Sequence, residues 1–512
     1  MRITNKMIQN NSIKNINTNK LSQDKYSTQM GTGKKINRAS EDPVVAIRAL
    51  RLRSSVTELT QYYSKNIPDA ESWLSVTEDA LGNLTDVITD LIKQATKGSS
   101  GELTTEDRQI ILEQLKALSA EVYSTGNVDY AGRYVFTGYR TNSSLSFTSA
   151  ETQRYTITEQ LDSTAIDSIT VVDTGDLTSL NASNYNSGSI TVTEEEVSPS
   201  EIYRIRLSYN DCSDGMDPVI TYYDTSGIKQ TLTAETVHSY DVPDPYSQVD
   251  TSAQGVVFIP ETGELLLSET AYNTLMGTRD DKSTSNINEA EIRITYEKSN
   301  WEKGDLKPEH YFHCIKDKGA TDAIEYNAAY LDGSVQKQVI EYDVGFNQSI
   351  QVNSTADECF NPGINRQTDD LIGAVNAVVE MEDIICTIKS LLANATGPDA
   401  AILQGQLAAA NKALTFLKDK EQKLFESSIT AFQGYLDEVN LAVTNCGTRS
   451  KKLELIESRM QTQKSTYENL QSENEDVDLT EAILMLTSAK YTYDASLLAT
   501  GKILKTSLLD YI

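Results

Sequence analysis

The chain has 512 residues, 39% of them hydrophobic, and a formal net charge of −29 at pH 7. That length allows several domains of about 100–200 residues each, and so negative a balance argues against nucleic-acid binding, which needs clustered lysine and arginine. The five cysteines (Cys212, Cys314, Cys359, Cys386 and Cys446) form no CxxC pair, which excludes a disulfide-dense secreted scaffold.

The charge is uneven. Residues 1–40 carry eight basic residues against the single acid Asp24, a balance of +7, whereas 465–481 hold six acids and no lysine or arginine. Opposite signs at the two ends favour their association, although exposed pairs contribute only about 0–1 kcal/mol each. The start, Met-Arg-Ile-Thr-Asn-Lys, lacks the apolar segment of a secretory signal, and no run reaches the ~20 apolar residues of a membrane span. Composition alone points to a cytosolic chain.

In chain order, the first forty residues are Asn-rich and weakly patterned, so a helix there is marginal without a partner. Asp42-Pro43 then signals a helix start, with aspartate as cap and proline in the first turn. Apolar residues follow at heptad spacing from Leu52, Val56 and Leu59 to Leu84, Val87 and Leu91, with a kink expected near Asn66 because of Pro68. A second helix is expected from Thr104 or Thr105 to Gly126-Asn127, with Ile111, Leu115, Leu118 and Val122 on one stripe.

From about residue 140 the apolar period changes to two. Tyr203, Ile205, Leu207 and Tyr209 alternate, as do Ile292, Ile294 and Tyr296, and Ile340, Tyr342 and Val344. Val257 and Ile259 are expected to face Leu265 and Leu267 across a hairpin turn at Glu261–Glu264. Helical spacing returns after Pro362 in three stripes, the first ending at Gly397-Pro398 and the second at Asn445-Cys-Gly447. The third runs from Leu453 to Val477, with polar Gln463 and Asn474 on seam positions, where they fix register.

Chemistry is sparse. His310, His313 and Cys314 lie close in sequence, but no second ligand pair accompanies them, and His238 stands alone. Gly31-Thr-Gly33-Lys34-Lys35 lacks the preceding strand and spacing of a phosphate loop. No pair of carboxylates stands out in an apolar setting. Neither a metal, a cofactor nor catalysis is expected.

The segment Gln29-Met-Gly-Thr-Gly-Lys-Lys-Ile-Asn-Arg-Ala-Ser-Glu-Asp-Pro43 resembles the N-terminal block of the flagellin superfamily, and its Asp-Pro resembles the hook-associated branch. Gly132–Thr141 resembles the turn that closes the N-terminal helical half in that branch, and 477–512 is similar to its C-terminal block. Residues 165–330 match no pattern. The resemblance implies a structural part of the bacterial flagellum that joins hook to filament, with flagellin itself, or a junction protein whose middle domain binds a surface ligand, as alternatives. It implies hook-associated protein 1, flagellin, further copies of this chain and a flagellar export chaperone as partners. It also implies an extracellular place reached by type III export without a cleaved signal, which replaces the cytosolic expectation.

The expected fold class is mixed α and β, segregated: a long antiparallel helical bundle or coiled coil built from both chain ends, with an inserted antiparallel β-rich outer domain. Three parts are expected: 1–42 with 470–512 as terminal inner-tube helices, loose in the monomer; 43–165 with 330–469 as a helical rod domain with a small β part; and 166–329 as a variable β-rich outer domain. The candidate assembly interface comprises Ile3, Met7, Ile13, Ile16 and Leu21 from one end. Tyr467, Leu470, Val477, Ile483, Leu497, Leu504 and Leu508 complete it from the other.

Overall fold

The computed structural model describes residues 5–505 apart from 101–102, 182, 187–191, 225–227, 242–243, 278–291 and 332–337. Long helices occupy both ends of the chain and a strand-rich segment the middle, so the segregated α and β architecture is observed. The chain forms two compact units. One comprises Met1–Glu71, Tyr342–Ile350 and Lys451–Ile512; the other comprises Ser72–Glu341 and Gln351–Ser450.

The first unit begins with a helix over Asn5–Thr32, longer than its weak patterning suggests. The next helix, Pro43–Gln61, starts as the sequence indicates: Asp42 Oδ1 accepts from Val44 N at 3.0 Å and Val45 N at 3.1 Å. The kink expected near Asn66 takes the form of a π turn over Tyr62–Asn66, after which the helix resumes as Ile67–Gly98. One extra residue in the turn absorbs the missing proline donor at Pro68. The hairpin of Glu341–Gly345 and Gln348–Gln351 packs beside this turn, where Asn66 Nδ2 donates to Asp343 O at 2.7 Å and Phe346 meets Tyr62 edge-on.

One expectation fails in the C-terminal third. The helix does not break at Asn445-Cys-Gly447 but runs unbroken over Pro398–Glu475, 78 residues. The apolar stripe continues on both sides, and a lone glycine costs a helix only about 1 kcal/mol, while Cys446 is buried with its thiol against Leu74 O.

Among the described residues of the second unit, two larger sheets stand beside the helices, along with the short pair Asp129–Tyr130 and Arg133–Tyr134. The six-stranded one has the order Ile324–Tyr326, His313–Lys316, Glu151–Leu161, Ile292–Trp301, Val219–Tyr223 and Lys229–Thr233, antiparallel throughout. The five-stranded one has the order Ile166–Val172, Pro199–Arg206, Glu264–Leu267, Val256–Ile259 and Glu235–Thr236, and its last pair is parallel. The expected hairpin forms, but Leu265 pairs with Phe258 and Leu267 with Val256, one residue away from the expected partners. All eight residues of the pair are buried, so alternation gives no cue to register.

Arg204 ties this sheet to the helix Gly363–Leu392. Its Nε lies 3.0 Å from Asp167 Oδ1 and its Nη2 2.8 Å from Asp370 Oδ2, while Nη1 meets Glu264. Farther along, Val378, Met381, Ile385 and Ile388 of that helix pack with Leu403, Ala410 and Leu417 of the long one, and with Leu177 and Leu180. A buried arginine with three carboxylate partners belongs to a fixed packing, since an unpaired one would be strongly unfavourable.

Candidate assembly interface

The N-terminal helix packs antiparallel on the C-terminal helix, Leu479–Lys505, with its last turn beside the other's first. Residues of reduced exposure recur at spacings of three and four on both. They are Ser12, Ile16, Asn19, Gln23, Tyr26 and Gln29 on one, and Ala482, Leu486, Ala489, Tyr493, Ser496 and Thr500 on the other. This seam mixes polar side chains with Ile16, Leu486, two alanines and two tyrosines; only Gln29, Ala482 and Thr500 are buried among the described residues of the two helices.

Most of the large apolar residues point elsewhere. Met7, Ile13, Leu21 and Met30 are exposed on the N-terminal helix, Leu21 at 70%. Ile483, Leu484, Tyr491, Leu497 and Leu498 are exposed on the C-terminal helix, Leu484 at 67%. Burying one such side chain releases about 1.5–3 kcal/mol, so a pair that leaves these uncovered has most of its hydrophobic stabilisation still unrealised.

A polar clasp closes the end where the helices meet. Lys34 Nζ lies 2.5 Å from Asp476 Oδ1 and 3.4 Å from Glu475 Oε2. Arg53 grips Glu475 with two parallel bonds, Nε to Oε1 at 2.7 Å and Nη2 to Oε2 at 2.6 Å. Lys35 N donates to Glu475 O at 2.7 Å, and Val477 N to Gly33 O at 2.9 Å, a short antiparallel bridge. The hydrogen bonds from Arg53 hold the Glu475 carboxyl below its ordinary range, and Lys34 together with Ser472 does the same for Asp476. The opposite charges of the chain ends therefore meet within this molecule. Of the seam positions read from sequence, Asn474 donates to Val45 O at 3.2 Å, while Gln463 Oε1 is buried without a partner.

Of the residues singled out in the sequence, Met7, Ile13, Leu21, Leu470, Ile483 and Leu497 are exposed. Ile16, Tyr467 and Val477 are half-buried. Ile3 and Leu508 lie outside the described residues, as does the apolar ending 507–512; Leu504 falls in the C-terminal helix, but its side chain is not described. Arg53 was not among them. The signal for it is faint: a basic residue on the first patterned helix, with the acidic run more than four hundred residues away.

The chemistry-bearing residues elsewhere have ordinary partners. His310 Nε2 faces Ser144 O at 3.1 Å, and burial pushes its imidazole down to about 4, so it is neutral at pH 7. His313 Nε2 pairs with Glu325 at 2.9 Å and Cys314 is buried in a strand. Among the described residues no group of three or more His, Cys, Asp or Glu side chains is placed to hold a metal ion, and no helix is long and apolar enough to cross a membrane.

Residues 3–141 match the family described as the bacterial flagellin N-terminal helical region. This part of the chain is flagellin-like. The match spans the N-terminal helix, Lys34, Arg53 and the turn at Gly132–Thr141. Flagellar hook-associated protein 3 of Escherichia coli (strain K12) is 28% identical over 142 residues, which is 28% of this chain and 44% of that protein. The protein of the same name from Salmonella typhimurium gives the same identity and coverage. The chain thus spans less than half the length of these curated relatives. A crystal structure of flagellar hook associated protein-3 from Legionella pneumophila aligns at 11% identity and a TM-score of 0.31, covering 82% of this chain and 97% of that one.

Proposed function

We propose that this chain is a structural subunit of the bacterial flagellum, an adaptor that joins hook to filament by assembly and carries out no catalysis. The observation that carries this reading is the terminal helix pair, whose seam is only half-buried and most of whose large apolar residues lie outside it. Such a pair gains its stability when further copies, or related subunits, cover the outer face. The match of residues 3–141 to the flagellin N-terminal region, and of 142 residues of the chain to two hook-associated proteins, supports the flagellar setting.

On this reading Met7, Ile13, Leu21, Leu470, Ile483 and Leu497 meet neighbouring subunits, whereas Ile16 and Val477 serve the seam and the clasp. The partners are hook-associated protein 1 on one side, flagellin on the other, copies of this chain around a ring, and an export chaperone before assembly. The place is outside the cell, reached through the flagellar export channel. Residues 1–42 with 470–512 form the inner-tube part, 43–165 with 330–469 the rod, and 166–329 the variable outer domain.

The test is complementation of a strain lacking the gene, scored by electron microscopy. The full chain restores filaments on hooks, whereas a chain lacking 470–512 accumulates yet leaves the hooks bare. Filaments restored by the truncated chain overturn the proposal. A second reading, the major filament subunit, draws on the same flagellin match; polymerisation of the purified chain into long filaments would favour it.

A further inference from the structure

Within the first unit, the helix Pro43–Gln61 has two unlike sides. One is tied to the clasp: Arg53 grips Glu475, and Val45 O accepts from Asn474 Nδ2. On the other, Val44, Ile47 and Leu50 stand 69%, 55% and 66% exposed. Arg48 and Arg51, exposed as well, fall among them at spacings of three and four, so the five residues share one outer face. Neither arginine has a hydrogen bond or an ion pair among the described residues. Single exposed aliphatic residues are ordinary on a protein surface, but three on one helix face form a contiguous patch that marks a contact.

A cleft of about 630 Å³ lies beside the clasp in the same unit. Tyr26, Val477 and Met485 give it apolar walls, and Met485 is itself exposed. Four carboxylates line it against the single lysine Lys35. Two of them are engaged: Asp476 by Lys34, and Asp478 as the cap of the C-terminal helix, where it accepts from Thr480 N at 2.8 Å and Glu481 N at 3.2 Å. The other two, Glu473 and Glu481, are exposed, and their side chains have no partner among the described residues.

The two surfaces are complementary. One joins aliphatic side chains to two free cations, and the other joins apolar walls to two free anions; in the single chain both stay exposed. We propose that the outer face of Pro43–Gln61 in one copy docks into the cleft of a second copy, with Ile47 and Leu50 against Met485 and Tyr26, and Arg48 and Arg51 opposite Glu473 and Glu481. This contact rests on the assembly reading above and gives it a specific junction between neighbours. Because the two faces differ, the contact is head-to-tail, and its repetition builds a ring where the rotation closes and a helix where it does not. The aliphatic residues supply adhesion, while the charges decide which face meets which.

The test places the photo-cross-linker benzoylphenylalanine at the position of Leu50 in the purified full chain, mixed with an isotopically heavy copy so that links between copies are told from links within one. The expected links between copies map to residues 473–485. Reversing the cations (Arg48→Glu with Arg51→Glu) lowers their yield about tenfold, and reversing the anions (Glu473→Lys with Glu481→Lys) does the same. Mixing the two reversed chains restores the links, because the acidic helix face then meets the basic cleft; a misfolded variant would not recover in this way. Links that are missing, that map elsewhere, that survive either reversal or that mixing does not restore overturn the proposal. The readout needs no flagellum, so bare hooks in the complementation count against the function proposed above, and missing links count against this contact.

Discussion

Arg108 lies 2% exposed, its Nε 3.0 Å from each carboxylate oxygen of Glu421 and its Nη1 2.7 Å from Leu103 O. Burial pushes the Glu421 carboxyl up while the guanidinium opposes it. Replacing Arg108 with methionine would leave Glu421 as a buried charge without its main partner, and the expected cost is about 3–5 kcal/mol in urea unfolding. The clasp at Glu475 behaves differently because Arg53 and Lys34 are half in solvent. Its carboxyls titrate lower in the folded chain than in the unfolded one, so their stabilisation is complete at neutral pH and is lost as pH falls below about 4. The protection of the amides near Gly33 and Val477, measured against intrinsic exchange at each pH, should therefore fall on acidification, and Glu475→Gln should lower it already at pH 7 while blunting its pH dependence. Gly263 is constrained by backbone alone: its φ is +64°, and a Cβ there would stand 2.0 Å from Tyr209 O. Gly263→Ala should cost at least about 2 kcal/mol by thermal unfolding.

Among elements, those with a local chemical cause were legible in the sequence. The caps at Asp42 and Thr104 fall where aspartate-proline and a threonine three residues before Asp107 place them, the latter as a reciprocal capping box. The disturbance at Asn66 was legible as to place from Pro68, but nothing in the sequence distinguishes a π turn from a simple kink. Gly447 misled because a glycine signals an end only when the apolar stripe also stops, and here it continues through Leu453 and Ile456, both buried. With nothing within 4 Å of its Cβ position, Gly447→Ala should stabilise the long helix by about 0.5–1 kcal/mol in chemical denaturation. Register at Val256–Ile259 was illegible because both faces of that strand are covered.

For the molecule as a whole, the charge asymmetry of the ends was the most useful clue, since Lys34 and Arg53 do find the acidic run 473–476. Composition could not distinguish pairing within one chain from pairing between chains; the single chain accommodates the bridge between Lys34 and Asp476 within itself. Deleting 470–512 should accordingly abolish helix over Asn5–Thr32, visible as lost far-ultraviolet ellipticity beyond the share of the removed residues. The clasp has a further consequence. Lys34 and Asp476 are 442 positions apart, and a ribosome adding about 5–20 residues per second needs roughly 20–90 s to travel between them. Throughout that interval the nascent N-terminal strip has no mate, so it stays a substrate for whatever cellular factors hold unpaired chains until the acidic segment has emerged.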